Sequence, residues 1–114
     1  MNSVFVETSI VSYLRHRQSQ NIVTAARQIQ TRRWWDEDKR KYSLFASALV
    51  VEEASRGDEV LAAERLLALA DLPLLAVNKE VEMIGNALVE RTALPEKARV
   101  DALHISTAAF HGVD

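Results

Sequence analysis

Short apolar runs alternate along the chain with longer stretches in which apolar residues recur every three or four positions, the patterns of strands and helices respectively. Val4-Phe5-Val6 is the first run, β-branched at both ends, and Glu7-Thr8-Ser9 follows it. Thr8 or Ser9 is expected to cap a helix packed through Ile10, Val11, Tyr13 and Leu14. A polar connection from Arg15 to Gln20 leads to Ile22, Ala25, Ala26 and Ile29, whose spacing predicts a second helix from about Asn21 to Trp35. The charged run Asp36 to Lys41 fits a solvated turn. Tyr42 to Ala46 is the second predicted strand, and Ser47 the expected cap of a short helix carrying Leu49, Val50 and Glu53. Gly57 suits the position just past that helix. Asp58 then caps a helix whose apolar stripe is Val60, Ala63, Leu67 and Ala70. Leu72 to Val77 is the third predicted strand; Pro73 has no amide hydrogen for a ladder, so the strand starts there or lies at a sheet edge. Val81, Ile84 and Leu88 mark a further helix, and Pro95 suits the first position of a last one over Glu96 to His111.

Strands that alternate with helices predict an α/β fold, a parallel sheet flanked by helices in three layers. His111-Gly112-Val113-Asp114 has the form of a turn out of a helix into a fourth strand. A sheet of three strands would leave one edge of the first strand unpaired. The expectation is therefore a single domain over residues 1–114 that is incomplete at its C-terminus, or one completed by a partner or a second copy.

Composition narrows the class. With 48% hydrophobic and 26% charged residues, the 114-residue chain has the balance of one globular domain, not of a disordered segment. Only 3 Gly and 2 Pro leave little material for the many turns of an all-β sandwich. The absence of cysteine excludes disulfides, thiolate zinc sites and Cys nucleophiles, and suits a reducing cytoplasm. No stretch approaches the roughly 18 apolar residues of a membrane span, and the acidic opening is unlike a signal peptide, so a cytoplasmic location is expected. A net charge of -2 counts mildly against a nucleic-acid binder, unless clustered acids are neutralised by an ion they hold.

Such a cluster is legible. Ligands of an open parallel sheet gather beyond the carboxyl ends of its strands, which is where Glu7 stands. Glu53 lies about two turns into the helix after the second strand, within reach of the same crevice. Asp101 sits among Ala98, Val100, Ala102, Leu103 and Ile105, a stretch that predicts a buried helix and hence an acid that must be paired, protonated or bound to a metal. Three converging carboxylates repel one another until a cation resolves the repulsion, and hard oxygen ligands favour Mg²⁺ or Mn²⁺. Plainer roles stand beside these. Glu7 could serve the positive end of the helix it precedes, Glu52 competes with Glu53 for the second position, and Asp101 could pair with Arg91, Arg99 or His104. His104, one turn beyond Asp101, could orient that carboxylate or fill the core. His16, His104 and His111 lack zinc-ligand spacing. Trp34-Trp35 offers base stacking or a core and dimer contact. Arg27, Arg32, Arg33, Lys39, Arg40 and Lys41 outnumber Asp36, Glu37 and Asp38, a possible phosphate-tracking patch or plain solvated surface.

Three stretches together resemble the PIN domain, in particular the VapC-like ribonuclease toxins of bacterial toxin–antitoxin pairs. Val4-Phe5-Val6-Glu7-Thr8-Ser9-Ile10-Val11 is similar to the family's strand, acid, Thr and Ser opening. Ser47-Ala48-Leu49-Val50-Val51-Glu52-Glu53-Ala54-Ser55-Arg56-Gly57 resembles its second motif and selects Glu53 over Glu52. Asp101-Ala102-Leu103-His104-Ile105 resembles its helix-borne aspartate. The resemblance implies a parallel sheet of order 3-2-1-4-5, Mg²⁺ or Mn²⁺ bound by Glu7, Glu53 and Asp101, endoribonuclease activity on RNA, a homodimer and a cognate antitoxin. Ser9 would support the first acid or a substrate phosphate. Two departures stand out: Glu7 occupies a position where the family usually has Asp, and the family continues beyond Asp114 through further strands and a possible fourth ligand.

The competing account is a PIN-like scaffold that binds RNA or protein without cutting. A receiver-like phosphoacceptor shares the sheet type, but it needs adjacent acids after its first strand and a lysine after its last, and neither is present.

Overall fold

Two of the three helix N-caps expected along the chain, Ser47 and Asp58, are filled as the sequence predicts, and they set the frame of the molecule. The computed structural model describes residues 2–92, 95 and 98–114. Its elements run β1 (Ser3–Phe5), α1 (Thr8–Arg15), α2 (Ile22–Arg33), β2 (Ser43–Ser47), α3 (Ala48–Ala54), α4 (Glu59–Leu69), β3 (Leu74–Leu75), α5 (Lys79–Thr92) and α6 (Arg99–Phe110). Asn21 caps α2 by accepting from the Thr24 amide, Ser47 caps α3 through Val50, and Asp58 caps α4 through Val60 and Leu61. At α1 neither Thr8 nor Ser9 does so: Glu7 is the cap, accepting from the Ser9 amide at 3.0 Å.

The fold is α/β, with a small parallel sheet in the order β1-β2-β3. Ser3, Val4 and Phe5 pair with Ser43, Leu44 and Phe45, while Ala46 and Ser47 pair with Leu74 and Leu75. β3 is an edge strand of only two residues, and the Pro73 carbonyl accepts from the Ala46 amide just ahead of it. On the opposite edge, the Asp114 amide donates to Ser3 and the Phe5 amide donates to Asp114, so Asp114 pairs alongside β1 in parallel fashion. The preceding turn closes α6 with paired bonds, Gly112 amide to Ala109 carbonyl and Val113 amide to Ala108 carbonyl. Gly112 takes the left-handed conformation (φ 68°) which that closure demands.

Val6, Val11, Leu14, Trp35, Ala46, Val50, Ala54 and Leu69 form the core, drawn from the residue just past β1, from β2 and from the helices grouped about α1. Each fully buried Val or Leu contributes about 1.5–3 kcal/mol relative to exposure. α5 and α6 pack chiefly on each other, giving a second helical group compatible with a three-layer arrangement. Among the described residues, no helix is long and apolar enough to cross a membrane.

The structure departs from the sequence pattern at several places. Asp36 to Lys41 is no open turn; α2 continues into a π-helical turn (Trp34–Asp38) and a 3₁₀ turn (Lys39–Lys41). The Val60, Ala63, Leu67 and Ala70 stripe of α4 faces outward, with Leu67 74% exposed; Ala62, Arg65 and Leu69 face in. Ile22 and Ile29 of α2 are likewise exposed. The helix start expected at Glu96 lies outside the described residues. α6 is not buried on most sides either: Ile105 is 61% exposed, and Asp101, in the first turn, is exposed too.

Candidate functional site

Three turns of chain meet beyond the carboxyl ends of β1 and β2. Glu7 stands two residues past the end of β1, Glu53 lies in the last turn of α3 behind β2, and Asp101 comes from the first turn of α6. The three carboxylates line one cavity of about 310 Å³, together with Thr8, Ser9, Ser12 and Tyr13. So the structure brings together all three acids that the sequence singles out. Glu52, the rival of Glu53, points away from this group: it is exposed and paired with Arg56 at 2.8 Å.

Each acid is held differently. Glu7 accepts from the Ser9 amide, so its capping role and its place in the cavity coexist. Ser9 therefore supports the first acid through its backbone. Glu53 accepts two bonds at one oxygen, Oε1: from the Thr8 hydroxyl at 2.7 Å and from His104 Nε2 at 2.6 Å. Its second oxygen, Oε2, has no protein donor among the described residues. Asp101 is exposed and sits in the favourable field of the N-terminal end of α6. His104 thus reaches Glu53, on another helix, and is not the orienting partner of Asp101. It is 5% exposed and leans on Phe5, with ring centroids 5.9 Å apart.

The donor set is all oxygen and mainly anionic, which suits a hard divalent cation and not a soft one. Among the described residues no three acidic or imidazole groups close on a single point. That is the arrangement expected of like charges that share a cavity while Glu7 and Glu53 are each tied to a local donor.

Thr8, Ser12 and Tyr13 are the site residues that the sequence pattern passes over. Their signal lies in the helical period: positions 8, 9, 12 and 13 form the face of α1 opposite the buried Val11 and Leu14, so one hydroxyl-bearing stripe lines the acids.

Other sequence candidates go elsewhere. Trp35 is buried beneath Lys39, whose ammonium stands 4.3 Å from the ring centroid, and Trp34 stacks on Tyr42 at 5.8 Å. Within the basic stretch, Arg32 is committed to the carbonyls of Leu14 and His16, at 3.2 and 2.7 Å. Lys41 pairs with Asp38 at 2.8 Å, and that hydrogen bond raises the lysine pKa above its ordinary value. A larger cavity, about 660 Å³, mixes Arg15 and Arg17 with Asp58 and Glu64 and so gathers no single charge. An apolar one of about 360 Å³ lies among Val4, Phe5, Val6, Ile10, Trp34 and Tyr42.

No protein-family model, no curated protein and no solved structure matches the chain.

Proposed function

We propose that the chain is a metal-dependent endoribonuclease that hydrolyses RNA phosphodiester bonds, a VapC-like toxin of the cytoplasm neutralised by an antitoxin. The observation that carries this reading is the cavity itself: carboxylates from three distant stretches, Glu7, Glu53 and Asp101, line one hollow at the carboxyl ends of parallel strands. Their oxygen-only chemistry fits Mg²⁺ or Mn²⁺, with the three carboxylates as the residues that hold the ion. Such an ion acidifies and aims a water molecule and screens charge developing on a phosphoryl group. The chain's own residues do the rest. Glu53 is oriented by Thr8 and His104, Glu7 by the start of α1, and the hydroxyls of Ser9, Ser12 and Tyr13 offer donors to a phosphate. Exposed Ile22, Val23, Val60 and Leu67 on α2 and α4 support a protein partner, an antitoxin or a second copy in a homodimer.

A second reading, a PIN-like domain that holds RNA or protein without cutting, is favoured by Glu7. One of its oxygens is already occupied in capping α1.

Incubation of a mixed structured RNA with the protein in Mn²⁺, in EDTA and as Asp101→Asn decides between the two. Cleavage that requires Mn²⁺ and disappears in the variant is the expected result. Retention of RNA with no cleavage in any arm would overturn the nuclease reading and leave the binding one.

A further inference from the structure

We propose that His104 is a positioning residue for the metal site, holding the Glu53 carboxylate so that Oε2 is the oxygen presented to the cation. This rests on the metal-site reading above. The inference starts from what His104 fails to do. A histidine kept for packing alone satisfies both ring nitrogens or gives way to an apolar residue, because a buried polar atom without a partner costs stability. His104 is 5% exposed, yet its Nδ1 has no hydrogen-bond partner among the described residues. Its polarity is used at one place, Nε2, and there it meets Glu53 Oε1 at 2.6 Å. Glu53 as a carboxylate only accepts, so Nε2 carries the hydrogen of that bond.

The location of this bond explains its use. Glu53 stands on α3 and His104 on α6, the helix that also carries Asp101. One bond therefore fixes the rotamer of the second acid and the placement of the helix bearing the third. Thr8, from the first turn of α1 beside Glu7, adds its hydroxyl to the same Oε1. Two donors on one oxygen leave the other, Oε2, free of protein donors among the described residues, as a ligand oxygen must be. Carboxylate ligands held by such outer contacts lose about 10–100-fold in metal affinity when the contact is removed.

The test compares His104→Gln with His104→Asn. Both are polar and smaller than histidine, but the glutamine amide can reach the position of Nε2 and the asparagine amide falls short. Mn²⁺ affinity is read from the electron paramagnetic resonance of the free ion, with thermal melting alongside and Glu53→Gln as a control. The expected result is wild-type-like binding in His104→Gln, loss of about tenfold or more in His104→Asn, and similar melting temperatures for the two. Equal Mn²⁺ affinity in both variants, or loss of the fold in both, would assign His104 to the core and overturn the proposal. Failure of the metal reading is separately visible: the unaltered protein would then take up no Mn²⁺, or Glu53→Gln would bind it as well as the unaltered protein does.

Discussion

Thr8, the first residue of α1, gives its hydroxyl to Glu53 on α3 over 2.7 Å. The bond spans the two strand–helix junctions on which the acids sit, so it ties the geometry of the cavity to the stability of the fold. Thr8→Val keeps the shape of the side chain and removes the donor. A hydrogen bond to a charged group contributes about 1.5–3 kcal/mol net. His104 still serves Glu53, so the expected loss lies toward the lower figure, read as a lower urea midpoint with an unchanged slope.

Glu7 has two roles that separate by substitution. Its carboxylate caps α1 through the Ser9 amide and also lines the acid cavity. Glu7→Gln keeps an oxygen acceptor for the cap and deletes the charge, whereas Glu7→Ala deletes both. Stability should change little in Glu7→Gln and fall by about 1 kcal/mol in Glu7→Ala, the usual value of a lost cap. Mn²⁺ binding should weaken in both. Undiminished Mn²⁺ binding in Glu7→Gln would reduce Glu7 to a capping residue.

The order of elements was legible because each start carries local chemistry. Ser47 and Asp58 cap where their side chains predict, and Pro73 places β3 at an edge. What the pattern misjudged is which face of a helix is inside. On α4 the inward face carries Arg65, whose guanidinium donates to the carbonyls of Ala54 and Arg56 and contacts His16 Nε2. A buried arginine satisfied by carbonyl groups looks polar in the sequence, so the apolar period seems to belong to the opposite face. Around Asp101 the neighbours are apolar but small, and the helix presents Asp101 and Ile105 outward while Ala102, Ser106 and Thr107 face in. That the three acids line one hollow was legible from their positions relative to the strands. The Glu53–His104 contact was not, since it depends on how α6 lies against α3.

The phase of α4 is open to direct measurement. Leu67 is 74% exposed and Leu69 is 3% exposed, two positions apart on the same helix. Leu67→Ser should alter stability by no more than about 0.5 kcal/mol, as for an ordinary surface change. Leu69→Ala opens a cavity in the core and should cost about 2–5 kcal/mol. Equal costs in denaturant titrations would mean that the outward stripe is covered, as a partner or second copy would cover it.

Gly85 separates the stability of the α5–α6 pair from the integrity of the site. A Cβ at this buried position would lie 3.0 Å from Leu103 Cδ2 and 3.6 Å from Ser106 Oγ, so the two helices approach closely there. Gly85→Val crowds the Leu103 side chain against α6, and overpacking of this kind costs about 1–3 kcal/mol. α6 is the better anchored. His104 binds Glu53 and leans on Phe5, His111 Nε2 meets the Ala76 carbonyl at 2.8 Å, and Asp114 pairs with β1. α5 packs mainly on α6 and is the element that yields. Gly85→Val should therefore lower the melting temperature while leaving Mn²⁺ affinity within about twofold of the unaltered protein, a free-energy difference of only ~0.4 kcal/mol. Loss of Mn²⁺ binding in step with stability would show instead that α6 moves, carrying Asp101 and His104 out of register with Glu53.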